Sequence, residues 1–285
     1  MMPAIFTVDV EDWFHILDVP GTPAFEDWDR LPSRVEANFR RFLDLCDAAG
    51  VKVTCFFLGW VAQRFPALVR EAAGRGHEVA SHGYAHRLIY EQSPAQFMED
   101  ARGTRLLLED LGGGPVVGYR GAGFSVTAKT PWFFEKLVQA GYEYDSTLFP
   151  APRGHGGLEG GRYAPYRIET PSGPLLEFPI TVTEVWGRPR CFFGGGYLRL
   201  FPYALVRRMA QRVLNEGRPV IFYAHPREID PDHPRLAMNL HRRFKSYVGL
   251  KGMEQKIRKI FREFSVTSFA RFRADFGDTM QKGIL

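Results

Sequence analysis

The stretch IFTVDVEDWFH, residues 5–15, joins a strand signal to a cluster of acids. Its first part, Ile5–Val8, is mainly apolar and β-branched, which is typical of a buried strand. Three carboxylates, Asp9, Glu11 and Asp12, follow directly. Acids placed immediately after a buried strand favour a functional site at the end of that strand. A surface loop, or N-caps for the next helix, is the alternative interpretation.

Strand and helix signals alternate along the chain up to about residue 230. The pattern S-x-x-E at Ser33–Glu36 predicts a capping box before a helix, and Ser93–Gln96 predicts a second cap. Runs of β-branched and aromatic residues predict further strands at Val51–Leu58, His77–Ser81, Val116–Tyr119, Tyr142–Tyr144, Leu175–Ile180 and Pro219–Ala224. This alternation is typical of a mostly parallel sheet with helical crossovers. For a chain of 285 residues, we predict an α/β fold, a distorted TIM-like (β/α) barrel of about seven parallel strands with a C-terminal helical extension.

The composition excludes several classes of protein. Hydrophobic residues make up 45% of the chain and charged residues 24%, so neither a disordered chain nor a small disulfide scaffold is expected. The sequence contains no run of about 18 apolar residues, so no membrane-spanning helix is predicted. The N-terminus lacks the basic start of a signal peptide. The cysteines Cys46, Cys55 and Cys191 form no C-x-x-C pair, and we expect a cytoplasmic protein with reduced thiols.

The end of the chain differs in charge from the rest. Residues 235–285 contain 12 Lys and Arg residues against 4 Asp and Glu residues, while the whole chain has a net charge of +5. We expect one catalytic domain over residues 1–230 and a basic extension over residues 231–285, packed on it or appended to it. Such an extension fits a solvated helix face or an anionic partner, such as a membrane surface or a phosphate-bearing substrate. No recognition motif accompanies the charge, so nucleic acid is not an expected partner.

Polar residues also stand at the ends of other predicted strands. These residues are His82 and His86, Arg120, Asp145 and His225. The carboxyl ends of parallel strands meet on one face of a barrel or sheet, and binding sites form on that face. We therefore expect these side chains and the acids after the first strand to form one site.

The pair His82 and His86 is the strongest local signal for a metal ion. On one helical turn, side chains at positions i and i+4 share a face and can bind the same ion. Two imidazoles and one carboxylate make a three-ligand site with room for water or substrate, which is typical of catalytic zinc. The run HEVASH, residues 77–82, has one residue too many for H-E-x-x-H, so a zincin site is excluded.

Five motifs, in order, resemble those of the polysaccharide deacetylases of carbohydrate esterase family 4. They are TVDVEDWFH at residues 7–15, SHGYAH at 81–86, YRGA at 119–122, YDS at 144–146 and FYAHP at 222–226. The resemblance covers about residues 5–229. It is greatest for a subgroup linked to bacterial exopolysaccharide gene clusters, whose members carry a C-terminal extension.

The resemblance implies catalytic roles for four residues. Asp9 matches the catalytic base, and Arg120 matches the arginine that orients this base. His225 matches the catalytic acid, and Asp145 matches the carboxylate paired with that acid. A backbone N–H near residues 145–147 is expected to stabilise the oxyanion.

The resemblance also implies a divalent metal ion, with Zn²⁺ expected first and Co²⁺, Ni²⁺ or Fe²⁺ as alternatives. His82 and His86 match the metal histidines. The metal carboxylate is Glu11 if the D-x-D spacing decides, or Asp12 if the side-chain type decides. The sequence leaves both open.

The implied reaction removes N-acetyl groups from an N-acetylated sugar by hydrolysis. The expected substrate is an acetylated polysaccharide or its lipid-linked precursor in exopolysaccharide biosynthesis, with peripheral contact to the inner membrane through the basic extension. One alternative is a hydrolase of C–N bonds in a small ureide or cyclic amide on the same fold. The other is an inactive carbohydrate-binding homologue, although the intact site residues argue against it.

Overall fold

The computed structural model of this chain describes residues 2–17, 19–151, 156–158 and 160–281. Its strands are β1 (Ala4–Val10), β2 (Thr54–Phe57), β3 (Glu78–Ser81), β4 (Gly118–Tyr119), β5 (Tyr144–Asp145), β6 (Tyr166–Thr170), β7 (Gly173–Glu177), β8 (Thr183–Val185), β9 (Arg188–Arg190), β10 (Val220–Ala224) and β11 (Val266–Thr267). Its helices are α1 (Val35–Ala49), α2 (Gly59–Arg64), α3 (Pro66–Gly74), α4 (Pro94–Gly112), α5 (Phe133–Ala140), α6 (Gly195–Leu200), α7 (Tyr203–Asn215), α8 (Leu240–Tyr247), α9 (Leu250–Glu263) and α10 (Phe269–Gln281). Short 3-10 turns lie at Phe25–Arg30, Ile89–Glu91, Ala122–Phe124 and Pro226–Ile229.

The main sheet is curled and mostly parallel, with the strand order β10-β1-β2-β3-β4-β5-β7-β6. Neighbouring strands from β10 to β7 are all parallel, and β6 joins β7 as an antiparallel edge strand. This arrangement confirms the predicted α/β barrel-like fold and its number of parallel strands. The sheet forms about half a barrel. Beside β10, the hydroxyl of Thr181 accepts a hydrogen bond from the Ile221 N–H at 2.8 Å.

The two predicted capping boxes have different outcomes. Ser93 caps α4 as predicted, because its side chain and that of Gln96 each accept a hydrogen bond from the other residue's backbone N–H. The box at Ser33–Glu36 is wrong, since α1 begins at Val35 and its N-cap residue makes no side-chain cap. Ser33 instead donates its hydroxyl proton to the carboxylate of Asp12, which also accepts from the first backbone N–H groups of α1.

The segment after residue 230 packs on the sheet. Strand β11 pairs in parallel with the first residues of β1. Helix α9 buries an apolar stripe that includes Ile257, and its Phe261 ring lies 5.0 Å from that of Phe6. Helix α10 buries Phe269 and Phe272 against Phe178. In the described part of the chain, no helix combines the length and apolarity needed to span a bilayer.

Candidate active site

A carboxylate and two imidazoles meet at the carboxyl ends of β1 and β3. Glu11 Oε1 lies 3.0 Å from His82 Nε2 and 3.1 Å from His86 Nε2. All three side chains are buried, and their ligand atoms lie within 4.8 Å of one another. Such spacing allows a single ion to contact all three residues.

The loop that holds the two histidines is not the predicted helical turn. His82 directly follows β3, and the chain then turns through left-handed backbone at Gly83 (φ 71°) and His86 (φ 52°). The loop is fixed from α4, because the Asp100 carboxylate accepts a hydrogen bond from the Tyr84 N–H at 3.0 Å. The two rings therefore converge through loop geometry rather than through helical periodicity.

The protonation pattern of this group suits a metal ion. His82 Nδ1 lies 2.7 Å from the carbonyl oxygen of Arg120 and donates to it, which leaves Nε2, beside Glu11, as the nitrogen that can bind an ion once its proton leaves. The pKa of Glu11 lies well below its ordinary value. Burial opposes ionisation, but the charges of His86 and His225 and the hydrogen bonds from His82 and His86 outweigh it. Two nitrogen donors and one ionised oxygen donor match a zinc-type site.

Asp12 lies outside this group of ligand atoms. Its carboxylate accepts hydrogen bonds from the N–H groups of Trp13, Arg34 and Val35 and from the Ser33 hydroxyl. These contacts use both oxygens to hold the start of α1. Of the two carboxylates left open by the sequence, the structure brings Glu11 to the histidines, and Asp12 acts as a cap for the next helix.

Asp9 and Arg120 form a buried ion pair beside the three-residue group. Arg120 Nη1 donates to Asp9 Oδ1 and to the Thr7 hydroxyl, both at 2.7 Å. The other guanidinium nitrogens donate to the carbonyl and hydroxyl oxygens of Ser146, and the guanidinium carbon lies 4.2 Å from the centroid of the Phe56 ring. Arg120 is thus held by several contacts, and it orients Oδ1 of Asp9 while Oδ2 lies 3.9 Å from His225 Nε2.

His225 lies across from Asp9 and is paired with Glu228. His225 Nε2 lies 3.7 Å from Glu11 Oε1 and 3.9 Å from Asp9 Oδ2, while Nδ1 lies 3.5 Å from Glu228 Oε2. Burial opposes protonation of His225, but the charges of Glu11 and Glu228 overcome it, so its pKa is raised. Glu228 is itself held by Arg199 Nε at 3.0 Å.

This geometry corrects the predicted partner of His225. Asp145 accepts hydrogen bonds from the N–H and hydroxyl of Thr147 and interacts with the carboxyl group of Glu177. The expected oxyanion donors are also engaged, because the N–H of Ser146 donates to the Tyr119 carbonyl and that of Thr147 donates to Asp145. Asp145 therefore shapes the loop beneath Arg120, and the acid beside His225 is Glu228.

Two known families match successive parts of the chain. Residues 24–144 match the polysaccharide deacetylase family, and residues 146–274 match a domain of unknown function, DUF3473. The first half of this chain is thus similar to the polysaccharide deacetylase family. The candidate site is assembled from three parts, since Asp9 and Glu11 precede the first match and His225 lies within the second.

One curated protein similar to this chain is a peptidoglycan deacetylase-like protein of Gibberella zeae, 30% identical over 110 residues. That match spans 38% of the chain and 32% of the relative, so the chain covers about a third of that protein. Among solved structures, a polysaccharide deacetylase from Mycobacterium smegmatis is 21% identical with a TM-score of 0.64, and Puue allantoinase is 18% identical with a TM-score of 0.61. Each comparison covers 97% of this chain and 90% of the other, and each shows a shared fold.

Two residues of this site, Glu228 and His15, were not predicted from the sequence. Glu228 follows His225 by three positions in a 3-10 turn, and this spacing is the sequence signal that could have predicted the pair. The position of Glu228 also requires a glycine at residue 195, because a Cβ atom there would lie 1.8 Å from Glu228 Oε2. His15 is the last residue of the first motif, and no role was predicted for it. Its Nδ1 accepts a hydrogen bond from the Asp12 N–H, and its ring lies 6.2 Å from that of His86.

The site opens into a cleft of about 420 Å³. The cleft is lined by Asp9, Glu11, His82 and His86, and also by residues from α6, the turn after β10 and α8. Since α8 belongs to the basic extension, this part of the chain takes part in forming the cleft.

Proposed function

We propose that this protein is a metal-dependent hydrolase that removes N-acetyl groups from an N-acetylated sugar, in a polysaccharide or its lipid-linked precursor. In this proposal the protein acts in exopolysaccharide biosynthesis. The observation that carries the proposal is the placement of Glu11, His82 and His86 between two buried pairs, Asp9 with Arg120 and His225 with Glu228. This placement supplies a base and an acid on two sides of one candidate metal site.

Glu11, His82 and His86 would hold the ion, with Zn²⁺ as the ion first expected from a site of this composition. A divalent ion there would polarise the acetyl carbonyl and acidify a water molecule. Glu11 is suited to this role because its pKa is low, so it stays ionised without a shared proton. The backbone carbonyl of Arg120 fixes the His82 ring from the opposite side.

Asp9 would act as the general base. Its Oδ1 is bound by Arg120, which leaves Oδ2 as the oxygen that can accept a proton from the attacking water. Arg120 is a positioning residue in this scheme. It touches Asp9 and not the reacting atoms, and its four hydrogen bonds prevent the carboxylate from rotating.

His225 would act as the general acid. As the C–N bond of the acetamide breaks, the departing amine nitrogen needs a proton, and the imidazolium of His225 can supply it. Glu228 stabilises that charged form. Arg199 in turn keeps Glu228 ionised, and the pKa of Glu228 lies far below its ordinary value. Burial opposes ionisation of Glu228, and the charges of Arg199 and His225 outweigh this effect.

Acetate release tests the proposal. Purified protein loaded with Zn²⁺ is incubated with N-acetylglucosamine oligomers, and acetate is measured with a coupled assay. We expect turnover in the wild type and a loss of about 100-fold or more in Asp9→Asn, which removes the base. Asp9→Asn should retain its metal, and the control Asp110→Asn, at an exposed position on α4, should keep full activity.

Three results would contradict the proposal. Full activity after exhaustive chelation, with no metal detected, would exclude the metal-dependent mechanism. Ring opening of allantoin without acetate release from any acetylated glycan would favour a ureide hydrolase. Tight glycan binding with neither reaction would favour an inactive carbohydrate-binding protein.

A further inference from the structure

One end of the active-site cleft is lined by four cationic side chains. They are Arg199, Arg227, Arg242 and Lys245. Arg227 follows His225 by two positions, while Arg242 and Lys245 project from α8 in the basic extension. The cleft therefore joins the candidate catalytic centre to a region of concentrated positive charge.

Arg199 is fully engaged within the protein. Its Nε donates to Glu228, and its two terminal nitrogens donate to the carbonyl oxygens of Val248 and Lys245. Each of its three nitrogens thus donates within the protein, and Glu228 balances its charge. Arg199 serves to position Glu228.

Arg227 and Arg242 differ from Arg199. The Nε and Nη1 atoms of Arg227 and the Nε atom of Arg242 are shut off from solvent, and no acceptor among the described residues bonds to them. Arg242 has one such bond, from Nη2 to the Leu17 carbonyl at 2.8 Å. Within the described ranges, neither guanidinium forms an ion pair, and the same holds for Lys245.

Such a set of groups favours an anionic ligand. A buried charged donor without an acceptor is destabilising. Both guanidinium groups also line the cleft, where an oxyanion can accept from their other N–H groups and balance their charge. Burial lowers the pKa of Arg227, the charge of Glu228 opposes this lowering, and the charge of Arg199 adds to it. A bound anion would stabilise the charged guanidinium.

We infer that Arg227, Arg242 and Lys245 form an anion subsite beside the catalytic centre, which binds an oxyanion group on the glycan substrate near the acetylated sugar. This inference rests on the proposed function and adds a substrate class to it, an anionic acetylated glycan. The anion is a carboxylate of an acidic sugar or a phosphate of a lipid-linked precursor, since the same guanidinium geometry suits both.

Calorimetric titration with three ligands tests the inference and separates the two anion sources. The ligands are neutral N-acetylglucosamine, N-acetylglucosamine 1-phosphate, and a disaccharide of N-acetylglucosamine and glucuronic acid. We expect at least one anionic ligand to bind the metal-loaded protein about tenfold or more tighter than the neutral sugar. Binding of the phosphate alone would identify phosphate as the source, and binding of the disaccharide alone would identify the carboxylate.

Substitutions locate the bound anion. Arg227→Gln and Arg242→Gln should each weaken the anionic ligand by about ten- to a hundredfold and leave the affinity for the neutral sugar unchanged. Arg227→Lys should restore part of the loss. The matched control is Arg243→Gln, which removes the same charge from an exposed position next to Arg242, and it should bind like the wild type.

The outcomes that overturn the inference are distinct from failure of the deacetylase function. Equal affinity for all three ligands, or equal losses in Arg242→Gln and Arg243→Gln, would exclude the subsite. Loss of all anion binding on chelation would place the anion on the metal instead. Absence of acetate release with anion binding intact would contradict the proposed reaction and leave the subsite standing.

Discussion

At the scale of single residues, Glu11 and Asp12 show how neighbouring acids come to have different surroundings. Glu11 points to His82 and His86, and Asp12 points to the start of α1. We predict that Glu11→Gln weakens metal binding by more than about 10- to 100-fold, which is the loss typical when a residue that only supports a metal ligand is changed. Asp12→Asn should keep its metal and lower the free energy of unfolding by about 1 kcal/mol.

Metal content after gel filtration and urea unfolding of both variants check this prediction. Asp12→Asn serves as the control for Glu11→Gln, because both changes remove one negative charge from the same segment. Loss of metal in Asp12→Asn with full retention in Glu11→Gln would reverse the assignment.

A second residue-scale prediction concerns the buried acids Asp145 and Glu177. Burial raises the pKa of Asp145 to about 6, despite hydrogen bonds from Thr147, and raises that of Glu177 well above its ordinary value. Acids with a raised folded-state pKa favour the folded state below their unfolded pKa of about 4, and this contribution is lost as pH rises through the folded value. Stability should therefore fall between about pH 4 and the raised values, by roughly 1–3 kcal/mol.

The variant Glu177→Gln isolates this effect. A glutamine amide can still accept from the Leu148 N–H, as Glu177 does at 3.1 Å, and it can donate to Asp145 without titrating. We expect the free energy of unfolding to change less between pH 5 and pH 8 in this variant than in the wild type. Urea unfolding with chelator present in both samples measures it, and an unchanged pH slope would show that the pair does not share a proton.

At the scale of elements, α10 packs against buried residues of the sheet. Its Phe269 is fully buried, with its ring 4.8 Å from that of Phe178 and 5.1 Å from that of Tyr144. We predict that Phe269→Ala lowers the free energy of unfolding by about 3–5 kcal/mol, since it leaves a cavity among aromatic rings.

The matched control for Phe269 is Phe244 on α8, whose side chain is 57% exposed. Phe244→Ala should change stability by less than about 0.5 kcal/mol. Similar losses in the two variants, measured by urea unfolding, would show that the extension is not an integral part of the core.

At the scale of the whole molecule, several charged side chains of the basic extension form contacts within the protein. Lys256 Nζ donates to the carbonyl oxygens of Leu198 and Phe201 at the end of α6, and Arg258 pairs with Glu254. Exposed cations such as Arg243 and Lys251 remain for the proposed contact with an anionic membrane surface, at about 1 kcal/mol per residue.

Co-sedimentation with anionic vesicles tests that membrane contact. We expect binding at low salt that weakens at high salt, because the Debye length falls from about 10 Å at 0.1 M to about 3 Å at 1 M. The double change Arg243→Glu and Lys251→Glu should remove it without changing acetate release. Binding that is indifferent to these reversals would show that the extension serves the fold and the cleft alone.

The sequence by itself determined the features that depend on local order. Alternating strands and helices indicated a mostly parallel sheet, and polar residues at strand ends indicated one site on one face of it. The predicted positions of Asp9, Glu11, His82, His86, Arg120 and His225 meet there because parallel strands bring their carboxyl ends together.

Only the tertiary structure decided which groups face one another. Glu11 and Asp12 are adjacent in sequence, so their partners depend on where β3 and α1 pack. The choice of Glu228 over Asp145 as the partner of His225 depends on Arg199 and on the close approach that Gly195 allows. The cationic lining of the cleft arises because α8 and the turn after β10 line the same cleft although they are distant in sequence.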